Sequence, residues 1–169
     1  MKKGFPPIAS GKPRVLILGS MPGEESLRRK EYYAHPRNAF WPVTGALFGF
    51  SPNESYAART RHLVRHHIAL WDVLKRCRRH GSLDSSIDDK TISVNNFAAF
   101  FRKYPGIQTI FFNGARAEQE FNRRVKPKLP ADLQHLQCIR LPSTSPAMAG
   151  LALKQKTMHW AMIRKVLDV

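Results

Sequence analysis

The sequence predicts an α/β protein, built as a single domain in three layers, α/β/α, around a central and mostly parallel four-stranded sheet. The first observation is that short apolar runs alternate four times with segments of helical period, which is the pattern of strand and helix units. The second is the length of 169 residues, which suits one domain, here 1–169, with a sizeable core. The third is that loops rich in Gly, Pro and small polar residues follow the apolar runs. Ligands of such sheets bind beyond the carboxyl ends of the strands, so these loops predict the site.

The first half of the chain contains two predicted strands with a helix between them. The apolar run 15–18 predicts a buried strand that ends at Gly19. In "NAFWPVTGALFGF", apolar residues recur with a helical period over 40–48. A second strand is predicted over 68–71, and Asp72 follows it directly.

The second half repeats this order. Aromatic residues at helical spacing over 97–104, behind an Asn, predict a core-facing helix that ends at 105–106. The third strand is "IQTIFFNG", with a helix over 115–125 after it, and the last strand is "LQCIRL". The polar loop "PSTSPA" and an amphipathic helix, "KQKTMHWAMIRKVL", close the chain. We expect 1–13 to form a loosely ordered N-terminal extension.

The charge of the chain indicates a polyanionic partner. Lys and Arg number 28 against 12 Asp and Glu, a net charge of +16. The excess is uneven, because seven Lys and Arg side chains between positions 55 and 83 face one acid, Asp72. Nucleic acid is therefore the favoured partner, and a merely soluble basic surface is the alternative.

Cysteine content and hydropathy exclude several classes of protein. Cys77 and Cys138 are too few and too far apart for a four-cysteine zinc or iron–sulfur site, so we expect neither a metal nor a cofactor. No apolar h-region follows the charged N-terminus, and no apolar run approaches the ~20 residues of a membrane span. We expect a cytoplasmic monomer.

The loop "GSMPG", 19–23, follows the first strand. It lacks the Lys of a phosphate loop and the third Gly of a dinucleotide fingerprint, which argues against an NTP or NAD site. An ordinary turn after a strand is the alternative interpretation of this loop taken alone.

The motifs that follow this loop along the chain favour a functional interpretation of it. "GSMPG" followed by "YAHPRNAFW" resembles the uracil-DNA glycosylase superfamily, whose mismatch-specific branch has a GINPG loop and an F-A-H-P-x-N-R-F-W segment. "FFNGARAEQEF" and "LPSTSPA" resemble later motifs of that branch. The fuller set is most similar to the hypoxanthine-DNA glycosylases: "GSMPGEESL", "YYAHPRNAFWP", "ALWDVL", "GSLDSSI", "FFNG" and "LPSTSPA".

This resemblance implies a uracil-DNA glycosylase-like fold and a monofunctional DNA glycosylase that excises a deaminated base, most of all hypoxanthine, in base excision repair. Two customary polar groups of the superfamily are absent, since Met21 stands where other branches have Asp or Asn, and Leu141 where the uracil-specific branch has His. The resemblance to the hypoxanthine branch shifts the catalytic role to Asn38. The residues implied to bind the base are Gly19, Ser20, Met21, Pro22, Gly23, Tyr33, Phe40 and Asn113.

The chemistry of base excision suits these residue types. A base must leave the duplex and be held by stacking and edge hydrogen bonds, for which Tyr33 and Phe40 offer ring faces. The neutral amide of Asn38 can hold water or touch the nucleotide, but it cannot act as a general base near neutral pH.

Three further side chains have competing interpretations. His35 is a candidate donor to the leaving base, or else a turn histidine packed beside Pro36. Asp72 is a candidate to accept from a base N–H or to position water, or else a salt-bridge partner of a nearby Arg. Asn113 is a candidate to bind a base edge bidentately, or else a cap for the turn before Gly114.

Two groups of residues are predicted to contact the DNA. The loop residues Pro142, Ser143, Thr144, Ser145 and Pro146 suit phosphate contacts, although a helix cap would explain the same residues. The cluster Arg76, Arg78 and Arg79 suits the charged backbone.

The absence of Lys from the predicted site loops argues against strand cleavage through a Schiff base, which needs a desolvated Lys. A glycosylase for uracil, including uracil in mismatches, is the alternative within the enzyme class. A non-catalytic basic nucleic-acid-binding module is the alternative of another class. A nucleotide hydrolase is disfavoured, because the phosphate-loop Lys and a carboxylate cluster are missing.

Overall fold

The computed structural model describes all residues, 1–169. The strands are β1 Lys2–Lys3, β2 Val15–Gly19, β3 Ile68–Asp72, β4 Leu74–Arg79, β5 Ile87–Val94, β6 Thr109–Asn113 and β7 Gln137–Leu141. The helices are α1 Glu24–Arg29, α2 Phe40–Phe48, α3 Tyr56–Arg65, α4 Phe97–Lys103, α5 Ala115–Glu120, α6 Leu153–Trp160 and α7 Met162–Leu167. A π-helical turn, Phe121–Val125, continues α5, and short 3₁₀ turns lie at Asp84–Ser86, Lys126–Lys128 and Ala131–Leu133.

The central sheet has the predicted number and direction of strands. Its order is β3-β2-β6-β7, and every neighbouring pair is parallel. Gly19 lies opposite Asp72 at one junction, and Asn113 lies opposite Leu141 at another. Because all four strands run the same way, the polar residues at their ends share one edge of the sheet.

The two faces of this sheet are each covered by a hydrophobic cluster, which confirms the three-layer prediction. Val15 and Ile17 contribute to one cluster, and Leu16 and Leu18 contribute to the other, because successive side chains of a strand point to opposite faces. One layer holds α2, α3, α6 and α7, and the other holds α4, α5 and a second, antiparallel sheet.

This second sheet, of order β1-β4-β5, was not predicted. Only Leu74, Cys77 and Arg79 of β4 are buried, and the intervening basic side chains are exposed. Two register shifts between β4 and β5 also interrupt the strict alternation that identifies a strand in sequence.

The N-terminal segment is packed against the domain, contrary to the expectation of a loosely ordered extension. Lys2 pairs with Cys77 across the second sheet, and Ile8 forms a bridge with Leu70 at the edge of the main sheet. The Tyr32 hydroxyl also donates to the backbone carbonyl of Pro6.

The predicted helices are present, the last of them with a local change, and α1 and α3 are helices that were not predicted. Asn96 caps α4 by accepting a hydrogen bond from the Ala99 backbone N–H, as expected for an Asn before an apolar periodic run. The predicted final helix is divided at Ala161 into α6 and α7. None of the helices has the length and apolar character that a membrane crossing requires.

Candidate active site

A buried polar pair lies where β2 and β3 end. A Cβ at Gly19 would stand 2.5 Å from Oδ1 of Asp72 and 2.8 Å from the hydroxyl oxygen of Tyr33. Both side chains therefore fill space that any residue larger than glycine would need at position 19. Neither the Tyr33 hydroxyl nor Oδ2 of Asp72 has a hydrogen-bond partner within the chain, which is unusual for buried polar atoms.

Asp72 is the most perturbed acid of the site. It is only 4% exposed, and no Arg or Lys forms an ion pair with it, so the alternative of an Asp72 salt bridge is wrong. Burial raises the pKa of Asp72 to about 7; the negative charge of Asp84 acts in the same direction and Arg79 acts against it. A carboxyl group that is half protonated near neutral pH is typical of functional sites.

Tyr33 lies on top of Phe40. Their ring centroids are 4.1 Å apart and the ring planes meet at 18°, the geometry of a stacked pair. Phe40 is fully buried, so the prediction that Phe40 itself stacks on a base is corrected: it supports Tyr33 from below. Tyr33 remains partly exposed and has a φ of 54°, a left-handed backbone that bulky residues rarely adopt.

Asn113 has a structural task instead of the predicted base-edge contact. Its Nδ2 donates to Oγ1 of Thr144, and its Oδ1 accepts from the Thr144 backbone N–H. Both ends of the amide are thus engaged in holding the last loop. Thr144 is 1% exposed, so a direct contact between Thr144 and DNA phosphate is also corrected.

The remaining residues of the last loop are held by neighbouring elements. The Thr144 carbonyl accepts from the Ala39 backbone N–H, and the Pro142 carbonyl accepts from Nε1 of Trp160. Ser143 lies against Gly114, whose φ of 92° requires glycine. Ser143, Ser145 and Pro146 keep partial exposure, and the loop precedes α6 without capping it through a Ser or Thr side chain.

Asn38 uses one end of its amide for a hydrogen bond within the chain. Its Oδ1 accepts from the Phe40 backbone N–H at 2.9 Å, an Asx turn at the entry to α2. That bond leaves the NH₂ group as the available end, which donates and does not accept. Asn38 lines a cavity of about 400 Å³ together with residues of the last loop, among them Ser145 and Pro146.

No residue of the loop 19–23 lines this cavity. Residue contacts nevertheless connect the cavity of Asn38 to the pair around Gly19. Phe40, two residues after Asn38, stacks on Tyr33, and the Ala39 backbone N–H donates a hydrogen bond to the Thr144 carbonyl.

His35 is placed in the turn and not in the cavity. Its ring is exposed, and Nδ1 accepts from the Arg37 backbone N–H at 3.1 Å. The turn-histidine interpretation of this residue therefore agrees with the geometry.

The loop 19–23 is fastened to the β4–β5 hairpin. Arg79 donates to the backbone carbonyls of Met21 and Pro22 and is 7% exposed. The prediction that Arg79 contacts DNA is corrected, because its guanidinium is buried against the loop. The Ser20 hydroxyl donates to Asp84 at 2.6 Å, and Met21 is buried. Arg76 and Arg78 are exposed, as DNA contacts require.

One residue of the cavity was missed by the sequence reasoning. Lys156 of α6 lines the same cavity as Asn38 and is 5% exposed. Lys156 lies within an amphipathic helix and not in the loops at the strand ends, so the premise that the site contains no desolvated Lys is wrong. The absence of strand cleavage stays a prediction. No group of three or more His, Cys, Asp or Glu side chains in the chain is arranged to hold a metal ion.

Comparisons with known proteins agree with this architecture. A model of the uracil DNA glycosylase superfamily matches residues 6–167. A hypoxanthine DNA glycosylase from Methanosarcina barkeri is 38% identical over 117 residues, covering 69% of this chain and 73% of that protein. The hypoxanthine DNA glycosylase of Methanosarcina acetivorans is 38% identical over 118 residues, with the same coverage of 69% and 73%.

A solved structure supports the fold independently. It is the solution NMR structure of a protein from Methanosarcina acetivorans that is named as a candidate uracil DNA glycosylase. It superposes with a TM-score of 0.80 and 31% sequence identity, covering 98% of both chains. Motif order, sheet topology and these matches together place the chain in the uracil DNA glycosylase superfamily.

Proposed function

We propose that the protein is a monofunctional DNA glycosylase that removes hypoxanthine, the deaminated form of adenine, by hydrolysing its N-glycosidic bond. The observation that carries this proposal is the 38% identity to two proteins named hypoxanthine DNA glycosylase, each over more than two thirds of this chain. Both share the superfamily of this chain, and the site described above has the stacking ring and partner-free polar atoms that base excision needs.

Tyr33 is the residue against which an everted base would stack. Phe40 covers one face of its ring, and Tyr33 keeps the partial exposure that contact with a ligand requires. Stacking of a base on an aromatic side chain contributes about 1–3 kcal/mol. The buried Phe40 keeps Tyr33 from moving away when the base arrives.

Asp72 supplies an acceptor that can distinguish hypoxanthine from adenine. Hypoxanthine carries a hydrogen on ring nitrogen N1, whereas adenine has an unprotonated acceptor there. Oδ2 of Asp72 is buried and lacks a hydrogen-bond partner, so an N–H of the base would satisfy it. When Asp72 is ionised, an adenine N1 in the same position would face a second acceptor, which is unfavourable.

Asn38 acts through its free NH₂ group. Departure of the base leaves positive charge on the sugar, and fixed dipoles that orient the attacking water or the sugar oxygens contribute strongly in a dry site. The amide cannot take up a proton near neutral pH, so Asn38 orients and does not activate. The positive net charge of +16 supplies the attraction to the DNA backbone, and we expect the chain to act as a monomer on cytoplasmic DNA.

Release of the base from defined duplexes tests the function directly. Duplexes that carry one inosine, uracil or xanthine are incubated with the protein, and abasic sites are then cleaved with alkali. We expect the fastest strand cleavage for inosine, and only after the alkali step. Strand cleavage without alkali would contradict monofunctional hydrolysis.

Uracil is the second candidate base, because the structural neighbour is named as a candidate uracil DNA glycosylase. Uracil also carries a ring N–H beside a carbonyl group, so it can satisfy the same acceptor. Strong uracil release without inosine release would reject the hypoxanthine assignment. DNA binding without release of any base would favour the non-catalytic module.

A further inference from the structure

A buried cation without a counter-ion lies in the cavity of Asn38. Lys156 is 5% exposed, and its Nζ donates to the backbone carbonyl of Met148 at 2.8 Å. No carboxylate lies within ion-pair distance of it. An ammonium group has three donors, and only one of them has a partner within the chain.

Other buried charges of the molecule are compensated more fully. The carboxylate of Glu120 is 3% exposed and pairs with both Arg116 and Arg124. The buried guanidinium of Arg79 donates to three backbone carbonyls. Lys156 is therefore the buried cation whose compensation is weakest, and burial accordingly lowers the pKa of its ammonium group.

The lining of the cavity is suited to an anion. Twelve residues line it, and none of them is Asp or Glu. The polar side chains among them are two cations, an amide and a hydroxyl, namely Arg37, Lys156, Asn38 and Ser145. The Oδ1 of Asn38 already accepts from Phe40, and its NH₂ group, which only donates, has no partner within the chain.

We propose that this cavity is a binding site for a phosphodiester group of DNA, with Lys156 as its central cation. The proposal rests on the part of the proposed function that makes DNA the substrate. A phosphate group would supply the missing negative charge and accept from the free donors of Lys156, and from Arg37, Asn38 or Ser145 at the rim. Because Asn38 lines the same cavity, a phosphate held there would position the nucleotide that Asn38 contacts.

A purely structural role for Lys156 is the competing explanation, since the bond to the Met148 carbonyl also ties down the last loop. The two explanations differ in whether the positive charge of Lys156 is needed for DNA binding. A tether needs one donor, whereas a phosphate site needs a charge that is coupled to one particular phosphate of the DNA.

A double-mutant cycle between protein and DNA separates these explanations. Binding affinity is measured for the wild-type protein and for Lys156→Met. Each duplex contains one uncleavable 2′-fluoro-deoxyinosine and one neutral methylphosphonate in place of a phosphate. The position of the methylphosphonate differs from duplex to duplex, one step at a time along the strand with the lesion. We expect one position beside the lesion where the methylphosphonate weakens wild-type binding about tenfold or more and leaves Lys156→Met binding unchanged. Lys154→Met, at an exposed position of the same helix, keeps the full wild-type pattern.

Two further measurements cover folding and the source of the phosphate. Lys156→Arg retains the charge, so it keeps the coupling even if Lys156→Met melts at a lower temperature. Inorganic phosphate at constant ionic strength raises the melting temperature of wild type far less than the duplex does, because the site is built for a phosphate carried by DNA. An equal effect of phosphate and duplex would indicate a free-phosphate site and overturn the proposal.

The outcomes also distinguish this site from the proposed function. Methylphosphonate effects that are identical in wild type and Lys156→Met at every position overturn the phosphate site, whatever the base excised. Coupling at one position in a protein that releases no inosine keeps the site and rejects the hypoxanthine assignment.

Discussion

Asn38 combines a hydrogen bond within the fold with a proposed role in the site. Its Oδ1 closes the turn before α2, its NH₂ group has no partner within the chain, and the residue lines the cavity. Sequence reasoning identified the residue through its motif. It could not predict which end would be available, because that depends on the backbone N–H of Phe40.

This division leads to a pair of substitutions at Asn38. Asn38→Ser keeps an oxygen that can accept from Phe40 but has no NH₂ group, whereas Asn38→Ala loses both functions. We expect inosine release to fall by about a hundredfold or more in both variants. Only Asn38→Ala should lose about 1 kcal/mol of stability, measured by urea denaturation. Normal inosine release by Asn38→Ser would show that the amide only supports the turn.

Tyr33 allows a second prediction, since its ring and its hydroxyl have different surroundings. The ring stacks on Phe40, and the hydroxyl is buried without a hydrogen-bond partner. Tyr33→Ala should lower inosine release by about 10- to 100-fold, the value of one stacking contact. Tyr33→Phe should retain most of the release and unfold with an equal or higher free energy, because no hydrogen bond is lost. Equal loss in both variants would mean that the hydroxyl, and not the ring face, contacts the base.

At the scale of elements, the predictability of a strand depended on its surroundings. Three strands of the main sheet, β2, β3 and β6, are buried on both faces, and each is a mainly apolar run such as "VLIL". The second sheet escaped prediction because β4 exposes basic side chains and its pairing with β5 contains register shifts. For the same reason, Arg79 looked like one more member of an exposed basic cluster, although the hairpin turns it toward the loop 19–23.

The hairpin therefore contains two neighbouring arginines with opposite tasks. Arg79 is buried and bonds to loop carbonyls, and Arg78 is exposed. We expect Arg79→Met to lower the free energy of unfolding by about 2–4 kcal/mol, because it leaves buried carbonyls without donors. Inosine release should fall with it, since the loop forms part of the site. Thermal melting and the inosine assay measure both effects.

Arg78→Met is the matched control for this change. It should have the melting temperature of wild type and bind all duplexes more weakly. The dependence of its binding constant on salt concentration should fall by the amount expected for about one phosphate contact. A stability loss confined to Arg78→Met would reverse the assignments of the two arginines.

For the molecule as a whole, the charge pattern concerns attraction to nucleic acid, and the fold concerns the proposed selection of a base. The net charge of +16 attracts any nucleic acid, and this attraction weakens with salt. In the proposed function, selection of a base depends instead on a few groups that the parallel sheet brings to one edge. Sequence predicted that edge from the order of strands and loops. It could not assign Asn113 and Thr144 to each other, or bring Lys156 of α6 to Asn38, because those contacts join distant segments.

The burial of Asp72 ties the stability of the whole domain to pH. The pKa of Asp72 is about 7 in the folded protein, against an ordinary value of 3.8. Between these values the unfolded chain has released this proton and the folded chain still holds it. The folded state therefore binds more protons, and its stability falls as pH rises from about 4 to 7.

Asp72→Asn removes this dependence, because an amide stays neutral. Relative to wild type, the variant should gain on the order of 3 kcal/mol of unfolding free energy between pH 5 and pH 8, at 1.36 kcal/mol per pKa unit. Urea denaturation of both proteins at several pH values measures the difference, and the contributions of other groups cancel between them. Asp89, whose pKa is lowered chiefly by its hydrogen bond from Arg116, has the same effect in both proteins. A difference that stays constant from pH 5 to pH 8 would show that Asp72 is ionised in the folded protein throughout, and that the acceptor proposed to bind the base carries a full negative charge.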